Sequence, residues 1–308
     1  MTLHLWNGEV EAMGSKALKI GCVNITMHPD HSAELYKKLF TYVCSEKLRA
    51  KIHGKYHGVI NTASYDNGSS AVSGSFYRFF DLPNNTSWVD LELNRPMDPD
   101  TDDVPHLPEE KKPEFRAIEY VFFVHSHRLF FNCQYITPAS MERFLNNLFS
   151  TACISDRFNS VQANIEMSVE GLEKILGIAQ KDRIKIFIQR PNPDDLTACD
   201  ANILERFKNI NVKNSTSEYK SDGSDITPDE AMKNEMNVAL SNGYVTASGK
   251  DGEEKIEEST RNHPLVETVR YDSNRTTIFD LIFDVGINTV LKINARMKRK
   301  SHKSNEIQ

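Results

Sequence analysis

The chain has 308 residues, of which 39% are hydrophobic and 26% charged, so it can bury a sizeable core in one or two domains. Its formal net charge of −6 excludes a uniformly positive surface but is compatible with a local basic patch. Five widely spaced cysteines contain no CxxC pair, which argues against a disulfide framework or a zinc ribbon. The first residues lack the basic and apolar stretches of a signal peptide, and the apolar segment 278–293 carries charges. We therefore expect a cytoplasmic protein with no membrane partner.

The first predicted region, residues 1–155, alternates strands with helices. We predict strands over 16–26, 51–64 and 71–80, a hairpin over 118–124 and 129–135, and helices over 32–48 and 137–150. Thr137 is the expected N-cap of the second helix, with Pro138 in its first turn. Prolines and acids dominate 84–113, which predicts a long surface loop.

The second predicted region, residues 156–308, begins with a short β–α–β unit. Its elements are a strand over 160–167, a helix over 168–178 and a strand over 183–189, with Ser168 as the N-cap of the helix. There follow a helix to about 208, a polar and mobile segment over 213–225, a helix over 227–242, a hairpin over 243–260 and an amphipathic helix from 277. The pattern predicts an α+β fold of mixed, mainly antiparallel sheets with helices packed on one face.

Several short sequences together have a distinctive pattern: HGKYHG at 53–58, FFVHSHRLFF at 122–131, RPNPDD at 190–195, GYVTASGKD at 243–251 and STRNHP at 259–264. In this order they resemble a bacterial family of uncharacterised proteins, domain-of-unknown-function family 4747. The resemblance extends over most of the chain and implies a bacterial, intracellular protein, but the family brings no established activity. The order of elements is also loosely similar to that of the lambdoid phage exclusion protein Rex A, which binds DNA as a dimer. That second similarity is an analogy of topology.

Local basicity is the main functional signal. Lysines and arginines alternate with isoleucines along one predicted strand, so one face of the strand should be basic while the other packs inward. A second basic stretch ends the C-terminal helix. Cations of this kind bind phosphates independently of base sequence, which predicts nucleic-acid binding. The candidate residues are Lys181, Arg183, Lys185 and Arg190 on the strand and Arg296, Lys298, Arg299 and Lys300 in the tail. The alternative interpretation is an edge strand protected by lysines and a solvated tail.

The enzyme alternatives are weaker. The sequence contains no GxxxxGK[ST], GxGxxG, HExxH or GxSxG motif. A metal-dependent nuclease would need an Asp close to a Glu-x-Lys sequence, to hold magnesium and orient water. The two matches are Glu253-x-Lys255 after Asp251 and Glu109-x-Lys111 after Asp102.

Two histidine pairs could also hold a metal ion. His125 and His127 lie two apart, so on one strand both imidazoles would face the same side, and His53 and His57 flank a glycine-rich turn. Solvated histidines at a hairpin tip are the commoner arrangement, and we assign no metal ion and no cofactor.

We therefore expect a non-enzymatic bacterial protein that binds nucleic acid through the basic strand and the tail. By analogy alone, we expect a role in defence against phage. The alternatives are a divergent metal-dependent nuclease and a protein-interaction subunit that acts, or forms a homodimer, through the terminal helix.

Overall fold

The computed structural model describes residues 15–29, 31–83, 86–105, 108, 110–151, 158, 160–192 and 198–305; the side chains at 15, 198–200 and 294–305 lie outside this description. The strands are β1 (Ser15–His28), β2 (Arg49–His53), β3 (Tyr56–Asp66), β4 (Ala71–Phe80), β5 (Val89–Asp90), β6 (Arg95–Pro96), β7 (Arg116–Phe123), β8 (Arg128–Asn132), β9 (Ser160–Ile165), β10 (Gln180–Gln189), β11 (Asn214–Lys220), β12 (Gly243–Asp251), β13 (Glu254–Ser259) and β14 (Val266–Asp272). The helices are α1 (Ala33–Ser45), α2 (Pro138–Phe149), α3 (Val169–Leu176), α4 (Ala198–Asn209), α5 (Glu230–Asn242) and α6 (Ile278–Asn305).

Eight strands form a large antiparallel sheet in the order β14-β1-β8-β7-β4-β3-β2, with β9 also paired to β1. The 14-residue β1 pairs with β14 along its first half and with β9 along its second half. Its side chains alternate between two cores, since Val23 and Ile25 pack with α1 and α2 while Ile20 and Cys22 pack on the face that α6 covers. This sheet therefore carries helices on both faces.

A smaller sheet has the order β11-β10-β12-β13, and all of its pairings are antiparallel. Helices α3, α4 and α5 cover one of its faces, and their apolar side chains form a separate core with the isoleucines of β10. A hairpin of β5 and β6 lies inside the proline- and acid-rich loop over 84–113.

The α+β class is confirmed, and so are the helix starts at Thr137 and Ser168, whose side chains accept hydrogen bonds from Ser140 N–H and Gly171 N–H. The expected strand over 51–64 is two strands, because the chain turns at Gly54, where φ is +52°. The predicted β–α–β order is present, but β9 pairs with β1 whereas β10 lies in the small sheet. Strands from both predicted regions thus share the large sheet; the division at residue 155 stays a prediction.

Candidate nucleic-acid interface

The small sheet has an open face opposite its helices. Ile184, Ile186 and Ile188 of β10 are buried against α3–α5, as their spacing predicted. Because side chains alternate along a strand, Arg183, Lys185 and Phe187 point to the opposite face, where they are exposed or half-buried. We call this surface of the small sheet, opposite its helices, the open face.

Strand register arranges the open face in rows. From β11 towards β13 the rows are Lys220–Arg183–Ser248–Glu257, Glu218–Lys185–Thr246–Ser259 and Thr216–Phe187–Tyr244, and Lys250 opposite Lys255 adds a further pair near the hairpin loop. The rows bring together residues that are far apart in sequence. They place two aromatic rings at one end of the face and most of its cations at the other.

The open face carries five cations and two carboxylates, although the whole chain is acidic. Arg183 Nε is hydrogen-bonded to Glu218 Oε1. Within the described residues Lys185, Lys220 and Lys250 form no ion pair. These three ammonium groups are therefore available to an anionic partner.

The aromatic end of the face is a stacked pair. The rings of Phe187 and Tyr244 lie 5.1 Å apart between centroids, at an interplanar angle of 28°. The guanidinium carbon of Arg261 lies 5.3 Å from the centroid of the Tyr244 ring, and Glu142 holds this arginine in place by an ion pair. Sequence reasoning missed this cluster, because Phe187 and Tyr244 meet only through the pairing of β10 with β12. The sequence did offer one signal, because each of these two aromatic residues alternates with buried residues along its own strand.

Lys181 does not belong to the open face, and the expectation that it does is wrong. The register of β10 against β12 shifts between Lys181 and Arg183, so Asp182 is an extra residue that turns Lys181 to the helix-covered side. Lys181 is 5% exposed, and its Nζ donates to the carbonyl of Ile178 at 2.8 Å and lies 3.2 Å from Asp225 Oδ1. The backbone N–H of Lys181 and then its ammonium group lower the pKa of Asp225.

The edge-strand interpretation of β10 is also wrong. Residues 213–225, expected to be polar and mobile, contain β11, which pairs with β10 from Asn214 to Lys220. β12 pairs along the other side of β10, so β10 is an inner strand. Its cations therefore do not protect an unpaired sheet edge.

Arg190 follows the end of β10 and does not extend the exposed basic line as expected. Its N–H donates to the carbonyl of Lys213, and its own carbonyl lies 2.9 Å from His28 Nε2. Its Nε is buried and has no hydrogen-bond partner among the described residues. Burial, followed by the nearby Arg190 charge, helps to lower the pKa of His28 to about 4. The four candidate residues of the tail, Arg296, Lys298, Arg299 and Lys300, fall within the last turns of α6, and their side chains lie outside the described residues.

The expected histidine pair is not a pair on one strand. Residues 124–126 form a 3₁₀ turn, and His127 follows in the left-handed region with a φ of 57°. His125 is exposed, whereas His127 is 2% exposed and lies beside the rings of His31 and Tyr36. Burial and the neighbouring Arg128 charge lower the pKa of His127 to about 3.

Of the carboxylates proposed for a nuclease, the structure describes Asp251, Glu253 and Asp102, whereas Glu109 lies outside the described residues. Asp251 lies opposite Glu254 across the hairpin and Glu253 lies in its two-residue loop, while Asp102 is bound by Arg95, which lowers its pKa to about 2. Within the described part of the chain, no group of three or more His, Cys, Asp or Glu side chains could hold one metal ion. None of the helices described there is long and apolar enough to span a bilayer.

These features define an α+β protein in which the four-stranded antiparallel sheet presents a basic and aromatic face. The sequence profile of the family described as Domain of unknown function (DUF4747) matches residues 16–286. The chain belongs to this family, as the short sequence matches indicated. A comparison with curated proteins found no match, so it lends no support to the similarity to Rex A.

Proposed function

We propose that this protein binds single-stranded nucleic acid across the open face. The observation that carries the proposal is the stacked pair of Phe187 and Tyr244, which shares one sheet surface with Lys185, Lys220 and Lys250. Aromatic rings on a sheet stack with unpaired bases, and cations beside them follow the phosphate backbone. Bases inside a duplex cannot stack on such rings, so a single strand fits this surface better than double-stranded DNA does.

Electrostatics supports the same ligand. The whole chain is negative, but the open face has more cations than carboxylates, so it attracts a polyanion locally. The Arg183–Glu218 pair is exposed, so exchanging the carboxylate for a phosphate would cost little. The tail residues Arg296, Lys298, Arg299 and Lys300 remain part of the proposal as a second phosphate contact.

The test measures fluorescence anisotropy of labelled 12-nucleotide oligo-dT, oligo-U and a matched duplex across a KCl series. Wild-type protein should prefer the single strands, and Phe187→Leu or Tyr244→Leu should weaken binding by about tenfold, since stacking is worth about 1–3 kcal/mol per base. Lys185→Gln with Lys220→Gln should reduce the salt slope by about 1.4, the value for two phosphates on a single strand.

The control is Lys38→Gln with Lys174→Gln, which removes two exposed lysines away from the open face. Lys38 belongs to α1, which packs on the large sheet, and Lys174 belongs to α3, which covers the opposite face of the small sheet. This control should leave affinity and slope unchanged. Changing Lys298, Arg299 and Lys300 to Ala tests the tail separately. The proposal is contradicted if the control and the open-face variants weaken binding equally. It is also contradicted if binding is tight and neither Phe187→Leu nor Tyr244→Leu changes the affinity.

A separate observation favours the protein-interaction alternative. Although Ile282 of α6 is fully buried, Phe279, Ile287 and Leu291 are 39%, 38% and 60% exposed. Their spacings of four, eight and twelve residues place them on one side of the helix. A second copy of the chain could cover this stripe. Light scattering after size-exclusion chromatography should then show a dimer that Leu291→Glu converts to a monomer. A wild-type protein that remains monomeric at about 100 µM would rule out this dimer.

A further inference from the structure

We propose that a cleft at the β2–β3–β4 end of the large sheet binds a small organic anion with a planar aromatic body. This site is separate from the open face and does not depend on nucleic-acid binding. Its lining includes Lys47, Arg49, Val59, Tyr77, Phe79 and Phe115, and it has a volume of about 420 Å³. Clefts of about 300–1,000 Å³ commonly hold small molecules, and this one lies in the lower part of that range.

The floor of the cleft is a row of side chains across three strands. Arg49 of β2 lies opposite Val59 of β3, and Val59 lies opposite Tyr77 of β4. Phe79 lies one row further along β4, on the same side as Tyr77. The floor therefore combines one cation with an apolar and aromatic surface that is set by strand pairing.

Phe115, which lies between the loop over 84–113 and β7, supplies the wall. The ring of Phe115 meets the ring of Tyr77 at an angle of 83° with centroids 4.6 Å apart, and Phe115 remains 50% exposed. Edge-to-face contact leaves the face of one ring free to contact a third planar group. A flat ligand can thus lie against this ring pair without disrupting the fold.

The charges around the cleft favour an anion. Lys112 Nζ contacts Asp81 Oδ1 at 2.5 Å, so Lys112 is largely neutralised, and Glu110 contributes one negative charge. Arg49 and Lys47 are exposed and form no ion pair with any described residue. A planar guanidinium presents two parallel donors to a carboxylate, sulfonate or phosphate. These two cations, beside an aromatic floor, match a ligand that has both an aromatic body and one anionic group.

The test uses two probes with the same aromatic skeleton. The anionic probe is 8-anilinonaphthalene-1-sulfonate, and the neutral probe is N-phenyl-1-naphthylamine, which lacks the sulfonate group. Fluorescence titration of the full chain should give one strong site for the anionic probe and at least tenfold weaker binding of the neutral probe. Arg49→Gln should weaken binding of the anionic probe about tenfold, as expected for loss of one charge-assisted hydrogen bond, and should leave the affinity of the neutral probe unchanged. Tyr77→Leu should weaken both probes, whereas Arg270→Gln on β14 is the matched control and should change neither.

A second measurement needs no substitution. Acetylation of lysines in the wild-type protein, read by peptide mass spectrometry, should slow at Lys47 in the presence of the anionic probe and not at Lys38 of α1. The proposal is overturned if Lys47 is not protected, if both probes bind equally well, or if Arg49→Gln leaves the anionic probe's affinity unchanged. None of these outcomes affects binding at the open face, so the two proposals fail independently.

Discussion

Arg128 and Glu166 form an ion pair that is buried where the two sheets meet. Arg128 Nε lies 3.1 Å from Glu166 Oε2, and each side chain is 1% exposed. Ser241, at the end of α5, joins the pair by donating to Glu166 Oε1 at 2.7 Å and accepting from Arg128 at 3.2 Å. Since Arg128 belongs to β8 and α5 packs on the small sheet, these bonds connect the large sheet to the layer that supports the open face.

Removing one member of this pair should destabilise the fold strongly. Glu166→Gln removes a buried negative charge that lies 3.1 Å from Arg128 Nε, and breaking such a buried pair costs about 3–5 kcal/mol. Urea denaturation, followed by tryptophan fluorescence and circular dichroism, measures the loss in free energy of unfolding. Glu170→Gln is the control, because its pair with Lys174 is exposed and should be worth less than about 0.5 kcal/mol. Equal effects of the two substitutions would show that the Arg128–Glu166 pair is not essential for stability.

Substitutions at two lysines of β10 should affect different properties, one the free energy of unfolding and the other the affinity for oligonucleotides. Lys181→Ala removes the ammonium group that contacts Asp225 and the Ile178 carbonyl, and should lower the free energy of unfolding by about 1–3 kcal/mol without changing oligonucleotide affinity. Lys185→Ala should weaken oligonucleotide binding and leave stability within about 0.5 kcal/mol. Urea denaturation and anisotropy on the same preparations check both. A loss of affinity in folded Lys181→Ala would restore Lys181 to the interface.

The buried His127 should make the protein less stable in mild acid. Its pKa is about 3 in the folded protein and about 6.5 in an unfolded chain, so between these values the unfolded chain binds a proton that the folded protein does not. The free energy of unfolding should therefore fall as pH decreases below 6.5, by about 1.4 kcal/mol per pH unit from this group.

His127→Asn is the variant that tests this, because Asn tolerates the left-handed backbone at this position and does not titrate. Urea denaturation between pH 7 and 4.5 should show a shallower pH dependence for the variant than for the wild type. His28, whose pKa is about 4, contributes to the slope that remains. Parallel pH profiles of the two proteins would contradict the assignment.

The contact between β10 and β12 should not tolerate a side chain at Gly243. A Cβ atom there would lie 1.9 Å from the carbonyl oxygen of Phe187, which is backbone and cannot rotate away. Gly243→Ala should cost about 1–3 kcal/mol or more in thermal or urea unfolding and weaken oligonucleotide binding, because Phe187 and Tyr244 would separate. Gly252→Asn is the control: φ there is +62°, a Cβ would meet no atom within 4 Å, and Asn accepts that backbone. A stable Gly243→Ala variant would show that the two strands can move apart.

The sequence predicted much of the secondary structure, because its signals are local. The caps at Thr137 and Ser168 depend on hydrogen bonds across three residues, and the hairpin of β12 and β13 depends on alternation and a Gly turn. The segment 214–220 was missed because NSTSEYK is polar, and an edge strand with one supported face needs few apolar residues. Only its pairing with β10 makes it a strand.

The candidate site was predicted in part. Arg183 and Lys185 follow the alternation of the isoleucines, and period two alone places them on one face. Lys181 obeys the same spacing in the sequence but faces the core, because the bulge at Asp182 reverses the alternation. The Phe187–Tyr244 stack joins residues 57 positions apart in the chain, and no local pattern indicates which aromatic residues will become neighbours.

The sequence by itself determined the α+β class, the helix caps, the alternation of β10 and the family. The tertiary structure alone decided that β9 and β10 lie in different sheets, that Lys181 is buried, and that Arg128 meets Glu166 and Ser241. The physical reason is range: caps, turns and side-chain alternation arise from interactions between near neighbours, whereas register, bulges and buried ion pairs depend on which distant segments pack together.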